Sequence, residues 1–160
     1  MAIHGTAAAQ PRTYHADDEV FELTLDGDAH DPLEMVRQDG YDPKRWQFTG
    51  QRVRGRQTRR FKWVAVGYPP NIKTVRAKCV KHGRVPEGQW REAVKQMFQP
   101  DGQHPRGIAD PSWVGPGGVV SFPFVYSNGG SDFCWTDYIR GKGWRWLVEV
   151  RLVPKRSLEI

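Results

Sequence analysis

The chain has 160 residues, 12% of them aromatic with seven Trp, and a formal net charge of +6. That length fits one domain with room for a core, and the aromatic content excludes a disordered polymer. No apolar run approaches the roughly 20 residues that a membrane-spanning helix needs.

The charge is segregated along the chain. Residues 1–42 carry ten acids against two bases, residues 43–86 carry thirteen bases and no acid, and residues 87–160 carry nine bases and eight acids. A block of one sign points to an anionic partner, of which a nucleic-acid backbone is the commonest. Compensation between the acidic and basic thirds, within one molecule or between copies, accounts for the same pattern. Cys79 and Cys134 lie outside any C-x-x-C spacing and read as free thiols in a reducing compartment.

Residues 1–17 read as an extended arm, polar and without apolar period, ahead of a single domain over 18–160. Met1 to Thr6 lacks the basic and apolar regions of a signal peptide, so secretion by that route is not expected. Residues Val20 to Leu25 alternate as a strand and end in the Asp26-Gly27-Asp28 turn. Asp31-Pro32-Leu33-Glu34 opens a short helix, with Asp31 as cap, Pro32 at the first position and Gly40 as its stop. Trp46 to Thr49 and Phe61 to Val66 read as two strands of a hairpin. Ile72 to Val80 reads as a further strand, with Val75, Ala77 and Cys79 inward and Arg76 and Lys78 outward. Trp90, Ala93, Val94 and Met97 recur at helical spacing from Pro86 onward. Residues 99–118 are rich in Gly and Pro and read as a long loop. Val119 to Tyr126, a segment from Phe133, and the run from Trp144 to Leu152 complete the strands. The expected fold is therefore α+β, a mainly antiparallel twisted sheet of about six or seven strands with two short helices.

The basic segment supplies the candidate site. Arg52, Arg54, Arg56, Arg59, Arg60 and Lys62 sit on the expected hairpin, and Arg76 and Lys78 on the neighbouring strand, where a cationic ribbon could grip phosphates. Trp46, Phe48, Phe61 and Trp63 flank them and face either the core or unpaired bases. Trp113 and Trp135 are candidate interaction residues if exposed. Asp101, His104 and Asp110 offer metal-type ligands in the long loop, but their spacing matches no motif, and no metal or cofactor is expected. With no G-x-S-x-G, no H-E-x-x-H and no phosphate-cradling loop, the expectation leans away from an enzyme.

The stretch Gly40-Tyr41-Asp42-Pro43-Lys44-Arg45-Trp46-Gln47-Phe48 and the Arg-rich strand after it resemble the short N-terminal module of some actinobacteriophage metallophosphoesterases, over residues 31–64. The catalytic H-x-D and G-N-H-D/E motifs of that family are absent, so no catalytic residue carries over. The resemblance implies a phage-encoded protein in the host cytoplasm or the virion. Three functions follow as expectations. The first is a nucleic-acid-binding accessory protein using a basic β-hairpin. The second is a virion subunit, of capsid or tail, assembling through its arm and its acidic and basic surfaces. The third is an inhibitor of a host protein. No membrane partner is expected.

Overall fold

The computed structural model describes residues 17, 19–67, 71–137, 139 and 143–150. In chain order it contains β1 (Phe21–Asp26), α1 (Pro32–Gln38), β2 (Gln47–Phe48), β3 (Arg56–Val64), α2 (Ile72–Cys79) and α3 (Arg91–Met97). There follow β4 (Arg106–Gly107), β5 (Trp113–Gly115), β6 (Val119–Val125), β7 (Ser131–Trp135) and β8 (Arg145–Glu149). The strands form one open sheet in the order β1-β3-β8-β4-β6-β5-β2, with β7 on the other side of β6. Residues 1–16 of the expected arm lie outside the described residues. Asp17 is described, and its carboxylate accepts from Arg145 Nε at 2.8 Å. Among the described residues no helix is long and apolar enough to cross a membrane.

The expected sheet of six or seven mainly antiparallel strands with two helices is corrected, among the described residues, to a mixed, eight-stranded sheet with three α-helices. The mixed character comes from β4, which runs parallel to β8 and antiparallel to β6. Both β4 and β5 arise within the Gly- and Pro-rich stretch 99–118, where strands of two and three residues are too short to show a period. Gly107 is required there, because a Cβ would stand 2.5 Å from Trp146 Cζ3. The third helix is α2, which replaces the strand expected over 72–80. Its inward residues are Ile72, Val75 and Cys79, spaced three and four apart, while Ala77 is exposed. Asn71 caps it by accepting from Thr74 N at 2.9 Å, which favours a helix start over a strand.

The sheet is covered on both faces. Phe61 and Trp63 of β3, with Phe21, Leu23 and Leu25 of β1 and Leu147 of β8, pack beneath Trp90 and the Ala93 and Val94 side of α3. The alternate residues Val64, Trp146 and Val148 face the other way, with Phe122 and Phe124 of β6, against Ile72, Val75 and Cys79. A third cluster joins Met35 and Val36 of α1 to Trp113 and Phe133. One buried cation ties these parts together. Arg91, 1% exposed, donates to Asp39 Oδ2 at 2.6 Å, Glu92 Oε2 at 2.8 Å and the Asp132 carbonyl at 3.0 Å. Such a charge is tolerable in a core only because its donors are met by carboxylates and a carbonyl.

Candidate anion-binding face and polar cleft

The basic segment does not form a hairpin. β2 pairs with β5, and β3 lies between β1 and β8, so residues 51–55 run between two distant parts of the sheet. Antiparallel pairing then sorts the cations by parity. In β3 the odd residues face the α3 side and the even residues the opposite side.

Arg59 is odd. It is half-buried, with Nη1 donating to Glu87 Oε1 and Glu149 Oε1, each at 3.2 Å, Nε to Gln57 Oε1 at 3.0 Å, and its Cζ 5.5 Å from the Trp90 ring. Four more of the eight candidates also hold protein groups or lie half-buried. Arg52 pairs with Asp31, the cap of α1, and lies over Phe48. Arg76 Nη1 donates to the Ala109 carbonyl, Lys78 Nζ donates to the Val66 carbonyl at 3.1 Å, and Lys62 stands half-buried beside Val148. Arg76 and Lys78 project from a helix, not from a strand.

Arg54, Arg56 and Arg60 remain. All three are exposed, and no hydrogen bond or ion pair among the described residues engages their guanidinium groups. Arg56 and Arg60 share the outer face of β3, about 13 Å apart at ordinary strand rise. The register sets Arg56 opposite Asp26 and Arg60 opposite Glu22, while Thr24 and Thr58 join hydroxyls at 2.7 Å between them. The cationic face is thus edged by carboxylates of its own neighbour strand.

The candidate aromatic residues separate cleanly. Trp113 is fully buried and donates Nε1–H to the Pro32 carbonyl at 2.9 Å, with Phe48 and Phe133 against its ring, so it is a core residue and not an interaction surface. Trp135 is 60% exposed at the end of β7. With Phe124, Tyr126 and Trp144 it lines an apolar groove of about 490 Å³. Phe61 and Trp63 are buried and offer no stacking face, while Trp46 and Phe48 are half-buried and pack on Phe133 and Trp113.

The long-loop ligands do not converge. Asp101 accepts from His104 Nδ1 at 2.6 Å, whereas Asp110 turns to the Gly88 N–H at 2.7 Å and the Ser112 hydroxyl. No group of three or more metal-type ligands gathers among the described residues. Both cysteines are free thiols, and burial pushes Cys79 up to about 12 and Cys134 up to about 11.

A second site was not legible along the chain. Arg76, Arg84, Glu87, Asp110, Ser112 and Gln51 line a cleft of about 320 Å³, within the size range of small-molecule sites. Arg84 bonds Glu149 Oε1 at 3.0 Å and Glu87 Oε1 at 2.8 Å. Burial raises Asp110 against the lowering effects of Ser112, the Gly88 N–H and Arg76. Burial also acts to raise Glu87, but its own backbone N–H together with Arg84 and Arg59 outweigh it and hold that carboxyl below its usual range. Glu87 thus belongs to an ion-pair network with Arg59, Arg84 and Glu149, whereas Asp110 is hydrogen-bonded by neutral donors. The contributing segments extend from Gly50 to Ser112, and local spacing links only Arg84 with Glu87 and Asp110 with Ser112.

No protein-family model, curated protein or solved structure matches the chain. Residues 40–48 form a turn leading into β2. Asp42 accepts from Lys44 N at 3.0 Å, Pro43 starts a 3₁₀ turn, and Trp46 packs against Tyr41 and Phe133.

Proposed function

We propose that this chain is a non-catalytic, phage-encoded protein that binds the phosphate backbone of nucleic acid on the outer face of β3. The observation that carries the reading is the sorting of the basic run. Arg52 and Arg59 are held in ion pairs, Arg76 and Lys78 each spend one donor on a backbone carbonyl away from β3, and Arg54, Arg56 and Arg60 present exposed guanidinium heads with no such bond among the described residues. Arginine heads of this kind bind phosphate without reading sequence, so binding should be strongly salt-dependent and tolerant of base order.

A second reading, a subunit of a virion assembly, is favoured by one feature. Among the described residues β7 pairs only with β6 and ends at exposed Trp135, and an open strand edge beside an aromatic patch suits contact with another chain.

Light scattering coupled to size exclusion, with and without a short duplex at two salt concentrations, separates the two. A monomer that shifts with duplex, and loses the shift as salt rises, is the expected result. The triple variant R54E/R56E/R60E should keep the wild-type melting temperature and abolish the shift. Neutralising the three arginines instead should reduce the salt slope by about 3. A discrete oligomer indifferent to duplex would establish the assembly reading. A triple variant that binds as well as wild type would remove β3 from consideration.

A further inference from the structure

We infer that the cleft between α2 and the Arg84–Glu87 segment is a binding site for a guanine nucleotide, with Asp110 receiving the base and Arg76 the phosphate. The site is distinct from the β3 face and does not depend on it.

Burial orders the cleft from floor to mouth. Asp110 and Ser112 are buried at 9% exposure, Glu87 is intermediate, and Arg76, Gln51 and Gly50 are exposed. At the floor, Asp110 Oδ1 accepts from Ser112 and Oδ2 from the Gly88 N–H. Each carboxylate oxygen has a second lone pair, so both retain acceptor capacity. Two adjacent acceptor oxygens match the adjacent N1–H and N2–H₂ donors on the Watson–Crick edge of guanine. Adenine sets an acceptor nitrogen beside its amino group on that edge and would meet the carboxylate with a repulsive lone pair. A base bonded there would also supply donors to a carboxylate that burial disfavours in its charged form.

The walls and mouth fit the rest of such a ligand. Val85, Pro86 and Pro111 give apolar surface for a flat ring. At the mouth Arg76 spends Nη1 on the Ala109 carbonyl, and its other guanidinium N–H groups have no partner among the described residues. A phosphate there gains a charge-assisted bond in partly desolvated surroundings. Gly50 lies directly against Ser112, where a Cβ would stand 2.1 Å from Ser112 Oγ, so the chain can approach the floor residue only because that position is a glycine.

Titration calorimetry of the full chain with GMP, AMP and inorganic phosphate tests the assignment. GMP should bind at least tenfold more tightly than AMP, with phosphate a weak competitor. Arg76→Gln, an exposed position, should weaken GMP about tenfold and end the competition by phosphate. Asp110→Asn should erase the preference for GMP over AMP. The triple variant R54E/R56E/R60E should bind GMP as wild type does, which keeps this result separate from any failure of the β3 reading. In that triple variant, a duplex ending in an unpaired G distinguishes two sources of the same group. Affinity at or above that of GMP assigns the cleft to a strand end, and affinity well below it to the free nucleotide. Equal binding of GMP and AMP, no binding at millimolar concentration, or an Arg76→Gln variant that binds GMP unchanged would each overturn the inference.

Discussion

Asp101 shows how one side chain can organise a loop that has no regular structure. Its carboxylate accepts from the backbone N–H groups of Gln103 and His104 at 2.9 and 2.8 Å and from His104 Nδ1 at 2.6 Å. Burial acts to raise the group, but the His104 hydrogen bond and the two backbone donors outweigh it and hold it at about 2, against an ordinary 3.8. A carboxyl lowered by folding contributes fully above its unfolded value and loses that contribution as pH falls through its folded value. Asp101→Asn should therefore lower the urea midpoint at pH 5, and the deficit should shrink as pH falls through 2. A deficit as large at pH 2 as at pH 5 would mean that the side chain acts through packing instead of charge. The residues Asp101 and His104 were visible in the sequence as polar loop groups. Their use as a loop staple was not, because three acceptor bonds to one carboxylate depend on backbone direction, which composition does not encode.

At the level of elements, the legible parts were those with one buried face and a local cap. β1 alternates, and the Asp31-Pro32 start of α1 is observed, with Asp31 accepting from Leu33 N at 2.9 Å. Glu34, in the first turn, accepts from Arg37 Nε at 2.9 Å. α2 misleads because Val75, Ala77 and Cys79 satisfy a period of two while Ile72, Val75 and Cys79 satisfy a helical one. Over eight residues the two periods share two positions, so burial of Ile72 against exposure of Ala77 decides. The cap at Asn71 was the missing clue. Asn71→Ala removes the acceptor for both Thr74 N and its hydroxyl, at 2.9 and 3.0 Å, and should cost about 1 kcal/mol in chemical denaturation. An unchanged midpoint would mean that packing of Ile72, Val75 and Cys79 on the sheet holds this helix without its cap. The same shortness explains β4 and β5, whose pairings come from partners elsewhere in the chain. Of the candidate site, the exposed arginines were legible as charge. The split between Arg59 and its neighbours was not, since it follows from strand parity once β1 and β8 are known to flank β3.

For the whole molecule, the segregation of charge along the chain becomes a juxtaposition in space. The acidic first third supplies β1 and the basic middle supplies β3, and the register brings Asp26 to Arg56 and Glu22 to Arg60. Directly opposed pairs on an exposed sheet face add little stability each, because water screens them and long side chains lose freedom in pairing. Their larger effect is on a ligand, since each carboxylate beside an arginine lowers the local potential that a phosphate meets. If β3 binds nucleic acid, the double variant E22Q/D26N should bind a short duplex about three- to tenfold more tightly at low salt, with the folded state nearly unchanged. The gain should shrink as ionic strength rises and the screening length falls to about 8 Å near physiological salt. Binding that is insensitive to the double variant at low salt would place the phosphate contacts away from β1 and β3. Binding that weakens would mean that the two carboxylates hold Arg56 and Arg60 in the orientation the ligand needs, so that the neighbour strand positions the arginines more than it competes for them.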